Sequence, residues 1–247
     1  MVVPARVKHA EHVMGTVVSF DVPWDVALGP VLEWLHWVDA TFSPFRSDSE
    51  VSRLGRGEVT VDECVPEMAS MLRACERLRT DSSGYFTVYP GGQFDPCGYV
   101  KGWAIERAAG MLAAAGSADH IVNGGGDIQC LGERSAGEPW RLGVAHPLRP
   151  GELACAVVAP PAGFAIATSG VAERGAHIFD PVAARPALTF ASVTVTGPSL
   201  TLADAYATAA YAMGDAARDW VESLPGFEAL AITLDGETWR TSGFPPG

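Results

Sequence analysis

A carboxylate and a hydroxyl near the C-terminus lie at helical spacing. Asp204 and Thr208 fall within ADAYATAAYAMG, which predicts a helix, and side chains four positions apart project from one face of a helix. Two oxygen atoms so arranged suit Mg²⁺, which commonly keeps waters and substrate phosphates in the rest of its shell. A helix cap or an ordinary polar face would use the same residue types. The pair is therefore a candidate metal site.

A second candidate is the stretch FDPCGYVKGWAIE at residues 94–106. Asp95 and Lys101 flank a predicted turn, and we expect a helix to begin at Gly102. Backbone N–H groups and an ammonium in such a loop suit phosphate oxygens, although the spacing GxxxxGK[ST] of a P-loop is absent. The alternative interpretation is a glycine-rich connection with an exposed lysine.

The densest polar cluster is ATSGVAERGAHIFDP at residues 167–181. His177 has a side chain that titrates near neutrality, so it could take a proton from an attacking hydroxyl, and Arg174 could hold a phosphate. A Ser-His-Asp triad is disfavoured because no GxSxG motif surrounds Ser169. The alternative is a structural histidine that caps a turn.

Two weaker signals remain. The glycines of NGGGD, residues 123–127, either let a backbone approach a ligand or close a hairpin. Met14 and Phe45 supply a flexible thioether and an aromatic ring, which could flank a flat ring system but are also ordinary core residues.

Composition restricts the partners. The chain of 247 residues has 17 Lys and Arg against 29 Asp and Glu, a net charge of −12, which argues against nucleic acid as a partner. A small anionic ligand would need local neutralisation by a helix N-terminus, a few basic residues or a divalent cation. The five cysteines form no CxxC pair, so neither a disulfide framework nor a zinc site is indicated, and we expect reduced, mostly buried thiols.

Strands that occur in runs, with helices inserted between them, predict an α+β fold with largely antiparallel pairing in one domain, or in two closely packed lobes. Strands are predicted at residues 17–22, 120–122, 153–159, 163–167, 192–196 and 229–234, and helices at 26–40, 66–78, 102–115, 202–213 and 216–223. No apolar run approaches the roughly 20 residues that span a bilayer, and the first residues lack a secretory signal. We therefore expect a cytoplasmic protein without a transmembrane segment.

Taken together, these stretches resemble the ordered motifs of the FAD:protein FMN transferase (ApbE) family. The matching blocks, in order, are MGT, FSPFRSDSEVSRL, GYFTV, FDPCGYVKGWAIERAAGML, IVNGGGDI, WRLGVAHP, ATSGVAERGAHIFDP, SVTV and LADAYATAAYAMG. The resemblance implies a T-fold-like α+β architecture, FAD as substrate and Mg²⁺ as cofactor. It also implies transfer of FMN to a Ser or Thr hydroxyl of an acceptor protein, with release of AMP.

The resemblance also assigns roles to residues. It implies that Asp204 and Thr208 bind the metal together with a backbone carbonyl near Gly98 to Val100, that Lys101 lies beside the phosphates, and that His177 is the base. Arg174 would hold charge that develops in the reaction. The residues implied to line the FAD pocket are Met14, Phe45, Tyr85, Phe86, Thr87, Asp95 and Phe179.

The chain departs from the family pattern in places. Thr87 stands where the family usually has aspartate, Phe45 replaces the common tyrosine, and the segment from Thr87 to Asp95 is short. An export signal, which many relatives have, is not recognisable. Two alternatives therefore stay open: an FAD pyrophosphatase that uses water as the nucleophile, and a flavin-binding module without catalysis.

Overall fold

The structure, a computed structural model, describes residues 5–170 and 179–245. Within them the helices are α1 (Gly29–Phe42), α2 (Glu50–Gly55), α3 (Pro66–Asp81), α4 (Cys97–Ala114), α5 (Leu200–Met213) and α6 (Ala217–Glu222). The strands are β1 (Arg6–Val13), β2 (Thr16–Pro23), β3 (His120–Gly124), β4 (Asp127–Leu131), β5 (Glu133–Ser135), β6 (Glu138–Pro139), β7 (Arg141–Ala145), β8 (Leu153–Val158), β9 (Phe164–Gly170), β10 (Phe179–Asp180), β11 (Arg185–Pro186), β12 (Phe190–Gly197), β13 (Glu228–Thr233) and β14 (Thr238–Arg240). None of these helices combines the length and apolarity that a bilayer crossing requires.

One antiparallel sheet organises the described chain. Its eight strands run in the order β1-β2-β3-β4-β9-β12-β13-β14, and each neighbouring pair is antiparallel. Strand β12, FASVTVTG, lies inside the sheet and all of its residues are buried. Its β-branched residues suit a strand that is covered on both faces. The arrangement of helices and antiparallel strands agrees with the predicted α+β class.

The two faces of the sheet support different layers. Alternate residues of β9 point to opposite faces, so Ala165 joins the core beneath α1, α4 and α5 while Ile166 joins a second apolar cluster. The hairpin β7–β8 covers this second cluster with Trp140 and Leu142. The indole N–H of Trp140 donates to the Leu131 carbonyl at 3.0 Å, which ties the hairpin to the end of β4.

Two local predictions are wrong. Strand β1 is not among the predicted elements, although its full length pairs with β2. The helix expected from Gly102 begins at Cys97, where the Asp95 carboxylate accepts the Cys97 N–H at 2.9 Å and so satisfies the first backbone donor of the helix. Gly98 and Lys101 consequently lie in the opening turns of α4 and not in a loop.

Two tight hairpin turns, one between β1 and β2 and one between β3 and β4, lie next to each other at the same end of these strands. The β1–β2 turn is Met14–Gly15, with φ of 55° and 70°, and the β3–β4 turn is Gly125–Gly126, with φ of 60° and 97°. The Gly125 N–H donates to the Val17 carbonyl at 3.2 Å. The hairpin interpretation of NGGGD is therefore correct.

The cysteines form no disulfide, and two of their thiols are deeply buried. The five residues are Cys64, Cys75, Cys97, Cys130 and Cys155. Burial raises the pKa of the Cys75 and Cys130 thiols to about 12, so these two residues behave as small apolar side chains.

Helices α4 and α5 approach each other most closely at Gly102. A Cβ atom at this position would lie 2.7 Å from the Leu200 carbonyl oxygen and 2.9 Å from the Asp204 Cβ. The Gly102 N–H donates to Oδ2 of Asp204 at 3.0 Å. Only glycine lets the two backbones come this close, and the approach puts Asp204 against the first turns of α4.

Side chains fix the N-terminus of α5. Oε2 of Glu106, from α4, accepts the Thr201 N–H at 2.7 Å and the Ser199 hydroxyl at 2.8 Å. The Gln129 side chain accepts the Leu200 N–H at 3.1 Å. The first backbone donors of α5 are thus satisfied within the protein, and the helix is held in one axial position relative to α4.

We predict opposite effects for two glycine substitutions in α4. Gly102→Ala forces α4 away from α5 and should lower the free energy of unfolding by about 1–3 kcal/mol. Gly110→Ala, at an exposed position with nothing within 4 Å of the new methyl group, should raise it by about 0.5–1 kcal/mol through helix propensity alone. Urea unfolding measures both. A neutral or stabilising Gly102→Ala would contradict the close contact.

Candidate active site

One cleft collects the predicted site residues that the structure describes. It opens between the start of α4, the middle of α5, the end of β9 and the loops after α1 and α3. The predicted residues that line it are Met14, Phe45, Tyr85, Phe86, Thr87, Asp95, Gly98, Val100, Lys101, Phe179, Asp204 and Thr208. Arg174 and His177 lie outside the described residues.

Asp204, Thr208 and the first turns of α4 are neighbours where α4 touches α5. The Asp204 side chain is 4% exposed, and Thr208 lies one turn further along the same face of α5. A Cβ at Gly98 would lie 3.2 Å from the Thr208 hydroxyl oxygen, so the first turn of α4 borders this hydroxyl directly. In a regular helix the Gly98 carbonyl would accept the Gly102 N–H, the same group that donates to Asp204. A carboxylate, a hydroxyl and a helix carbonyl group are therefore close neighbours here.

The donor set fits a hard divalent cation. The converging atoms of Asp204, Thr208 and Gly98 are all oxygen, which Mg²⁺ prefers, and few enough to leave room for water and phosphate oxygens. Val100, the other predicted carbonyl donor, buries its side chain in the core beneath the same turn. Across residues 5–170 and 179–245, no three His, Cys, Asp or Glu side chains cluster to hold a metal. A site for Zn²⁺ ligated by such residues is thus not found there.

Lys101 is held on the cleft wall by a buried carboxylate. Its Nζ lies 2.7 Å from Oδ2 of Asp127, whose side chain is fully buried, while the lysine side chain is 22% exposed. The other oxygen of Asp127 accepts the Thr168 N–H at 3.0 Å. Asp127 is the last residue of the NGGGD motif, and the motif alone does not indicate this contact, because Lys101 is distant from it in sequence.

The cleft lining is acidic in the described part of the chain. Its carboxylates are Asp39, Asp95 and Asp204, and its single Lys or Arg side chain is Lys101. The Asp95 carboxylate accepts the Cys97 N–H, and Arg46 lies 3.9 Å from Asp39. A ligand with a doubly charged pyrophosphate would meet net repulsion here unless a cation accompanies it.

Apolar side chains also line the cleft. Met14 adopts φ of 55°, which a residue other than glycine rarely does, and this conformation places it at the cleft. Phe45 is 74% exposed at the rim, whereas Phe86 is 2% exposed and packs in the core. The Thr87 hydroxyl accepts the Tyr89 N–H at 3.0 Å, so it shapes the turn at this edge.

Ser169 adds a hydroxyl that borders the metal candidates. Its Oγ lies 3.3 Å from the Thr208 hydroxyl oxygen, and Thr168 beside it bonds the Thr194 hydroxyl at 2.9 Å. Both residues are at the end of β9 and line the cleft. The polar cluster recognised in the sequence thus contributes at least its first part to the cleft.

Comparison with known proteins gives consistent matches. The model of the ApbE family matches residues 88–231. A Rhodobacter capsulatus protein named FAD:protein FMN transferase is 32% identical over 230 residues, which cover 88% of this chain and 40% of that protein. A Vibrio cholerae protein with the same name is 33% identical over 159 residues, or 60% of this chain and 47% of that protein. The chain spans less than half the length of these curated relatives.

Solved structures match over nearly the whole chain. The flavin transferase ApbE from Vibrio cholerae superposes with a TM-score of 0.84 at 22% identity, covering 97% of this chain and 98% of that one. The ApbE protein from Thermotoga maritima gives the same TM-score, identity and coverage. At this identity the likeness establishes the shared fold of helices with largely antiparallel sheets.

The oxygen donors lead to a binding prediction. Asp204→Asn keeps an oxygen that can accept the Gly102 N–H but removes the charge, so the fold should persist while the cation site is lost. We expect the melting temperature of the native protein to rise when Mg²⁺ is added with ADP, and that of Asp204→Asn to stay constant. Asp39→Asn, which removes a carboxylate elsewhere in the cleft, is the control and should respond as the native protein does. An undiminished Mg²⁺ response in Asp204→Asn would refute the site.

Proposed function

Because the chain belongs to the ApbE family, we propose that it transfers FMN from FAD to a Ser or Thr hydroxyl of an acceptor protein and releases AMP. The observation that carries this proposal is the convergence of Asp204, Thr208 and Gly98 beside Lys101 in one cleft with an apolar wall. Flavin nucleotides combine a flat apolar ring with a charged pyrophosphate, and this cleft offers a surface to each. The name of the curated relatives points to the same reaction.

We assign the two ends of the cleft to the two parts of the substrate. Met14, Phe45 and Tyr85 would contact the flavin ring by apolar and aromatic packing. Lys101 would hold its ammonium against phosphate oxygens at the opposite wall. The N-terminus of α4 at Cys97 also faces the cleft and favours negative charge there.

Asp204, Thr208 and the Gly98 carbonyl would hold Mg²⁺. The chemistry that Mg²⁺ supplies when bound is neutralisation of the pyrophosphate and of the charge on the departing AMP. This contribution adds positive charge to an acidic cleft in which the charge of Lys101 is already balanced by Asp127.

The transfer exchanges one phosphorus–oxygen bond for another. The hydroxyl oxygen of the acceptor forms a bond to the phosphorus of the FMN half. The bond from that phosphorus to the bridging oxygen breaks, and AMP leaves with this oxygen and its electron pair. We propose that His177 receives the hydroxyl proton, because imidazole is a base of suitable pKa and the motif HIFDP places it in the segment that precedes Phe179.

A direct assay tests the reaction. The protein is incubated with FAD and Mg²⁺, with and without a flavin-acceptor domain from the same genome. AMP is followed by chromatography and covalent flavin by fluorescence in a denaturing gel. We expect covalent flavin on the acceptor, AMP in equal amount, and loss of both products in EDTA. AMP without covalent flavin would favour the pyrophosphatase. The absence of both products would contradict catalysis and would favour a binding module.

His177→Ala isolates the base. The variant should bind FAD as the native protein does but transfer FMN about 10²- to 10⁴-fold more slowly, because no base then removes the proton from the attacking hydroxyl of the acceptor protein. The exposed His12 on β1 provides the control, since His12→Ala should leave the rate unchanged. A full rate in His177→Ala would rule out this role.

A further inference from the structure

Asp127 is a fully buried carboxylate that the proposed reaction does not use directly. It does not line the cleft, yet both of its partners, Lys101 and Thr168, do. Its Oδ2 has Lys101 as its charged partner at 2.7 Å, and its Oδ1 accepts a backbone N–H. The residue thus connects two walls of the cleft from beneath.

Burial of this ion pair needs a reason. Taking a carboxylate fully out of water is costly even when an ammonium compensates it, and well-packed apolar residues commonly serve stability as well or better. The Lys101 ammonium offsets only part of the cost of burying Asp127, because part of the lysine side chain stays at the cleft surface. What the pair provides is a cation that is fixed at one point of the cleft wall.

The β3–β4 turn and its contact with α4 fix the position of Asp127 beside Lys101. The residue closes the β3–β4 turn opposite Gly124, and the Asn123 side chain accepts the Gly126 N–H at 2.9 Å within that turn. A Cβ at Gly124 would lie 2.4 Å from Cδ1 of Ile105, which follows Lys101 by one turn of α4. The turn therefore rests directly on the helix that carries the lysine.

We propose that Asp127 is a positioning residue that fixes the Lys101 ammonium where it meets the phosphates of the flavin nucleotide. The proposal rests on the proposed function, in which Lys101 binds those phosphates. Lysine has a flexible stem whose ammonium can take many positions, and the cleft holds other carboxylates that attract it, such as Asp95 and Asp204. The ion pair with Asp127 selects one of these positions.

The same carboxylate supports the end of β9. Through the Thr168 N–H it holds the strand in the register that brings the Ser169 hydroxyl to Thr208. This second effect is separable, because Thr194 also supports Thr168 through its hydroxyl but has no contact with Lys101 among those described. Thr194→Val therefore loosens β9 without touching the lysine.

Binding constants test the proposal without turnover. We would measure dissociation constants for FAD and for riboflavin, which has no phosphate, in EDTA, for the native protein, Asp127→Asn, Lys101→Met and the double variant. Asp127→Asn should weaken FAD binding on the order of 10-fold, as expected for loss of a charged hydrogen bond, and change riboflavin binding less than about twofold. In the Lys101→Met background, Asp127→Asn should have no further effect on FAD. Thr194→Val should bind both flavins as the native protein does.

Specific results overturn the proposal. Equal weakening of FAD and riboflavin by Asp127→Asn would show a merely structural role, and so would an undiminished effect in the Lys101→Met background. Lys101→Arg tests the proposal even if Asp127→Asn does not fold. The variant keeps the positive charge but moves it away from the position of the ammonium, so FAD binding should weaken. Native affinity for FAD in this variant would contradict the proposal that the position of the ammonium matters. Failure of the proposed function has a different signature, since FAD would then bind without any covalent transfer to the acceptor.

Discussion

Helices α4 and α5 meet at Gly102, where the backbone N–H of one helix bonds the Asp204 carboxylate of the other. The contact removes a carboxylate from water and places it against the first turn of α4, beside Gly98 and Thr208. Glu106 and Gln129 then hold the start of α5, so that the helix cannot slide along its neighbour. The geometry of the cleft follows from this one close approach of two backbones.

Charge gives the cleft its second constraint. The protein carries a net charge of −12, and the described lining of the cleft repeats this excess of carboxylates on a small scale. A bound cation and an ammonium in a defined place would relieve the repulsion that an anionic substrate meets there. In the proposed function, the oxygen donors on α4 and α5 would hold the cation, and the Lys101–Asp127 pair would supply the ammonium. Both are consequences of elements that pack on α4, which makes this helix the common support of the site.

Much of the fold can be read from the sequence because its signals are local. The apolar periodicity of α1, α3 and α5 and the β-branched run of β12 give these elements directly. Strand β1 is missed because half of its residues are exposed and most carry polar side chains, so it lacks the alternation of a half-buried strand. The early start of α4 is missed because Pro96 and Gly98 indicate a turn, whereas a proline at the N-cap position is compatible with a helix that begins at the next residue.

Some residues of the site can likewise be identified from local sequence signals, and others cannot. Asp204 and Thr208 share a helix face, and their spacing alone puts them together. The proposed role of Asp127 depends on the packing of the β3–β4 turn against α4, and no local sequence pattern predicts this packing. The family motifs supplied the remaining lining residues, such as Met14, Phe45 and Phe179, whose types alone would equally suit a core.

A crystal structure of the protein with FAD and Mn²⁺, whose anomalous scattering identifies the ion, tests the account most directly. We predict Mn²⁺ on Asp204, Thr208 and the Gly98 carbonyl, the flavin ring beside Met14 and Phe45, and Lys101 on the phosphates while still paired with Asp127. A cation bound elsewhere, or FAD bound outside this cleft, would contradict the account.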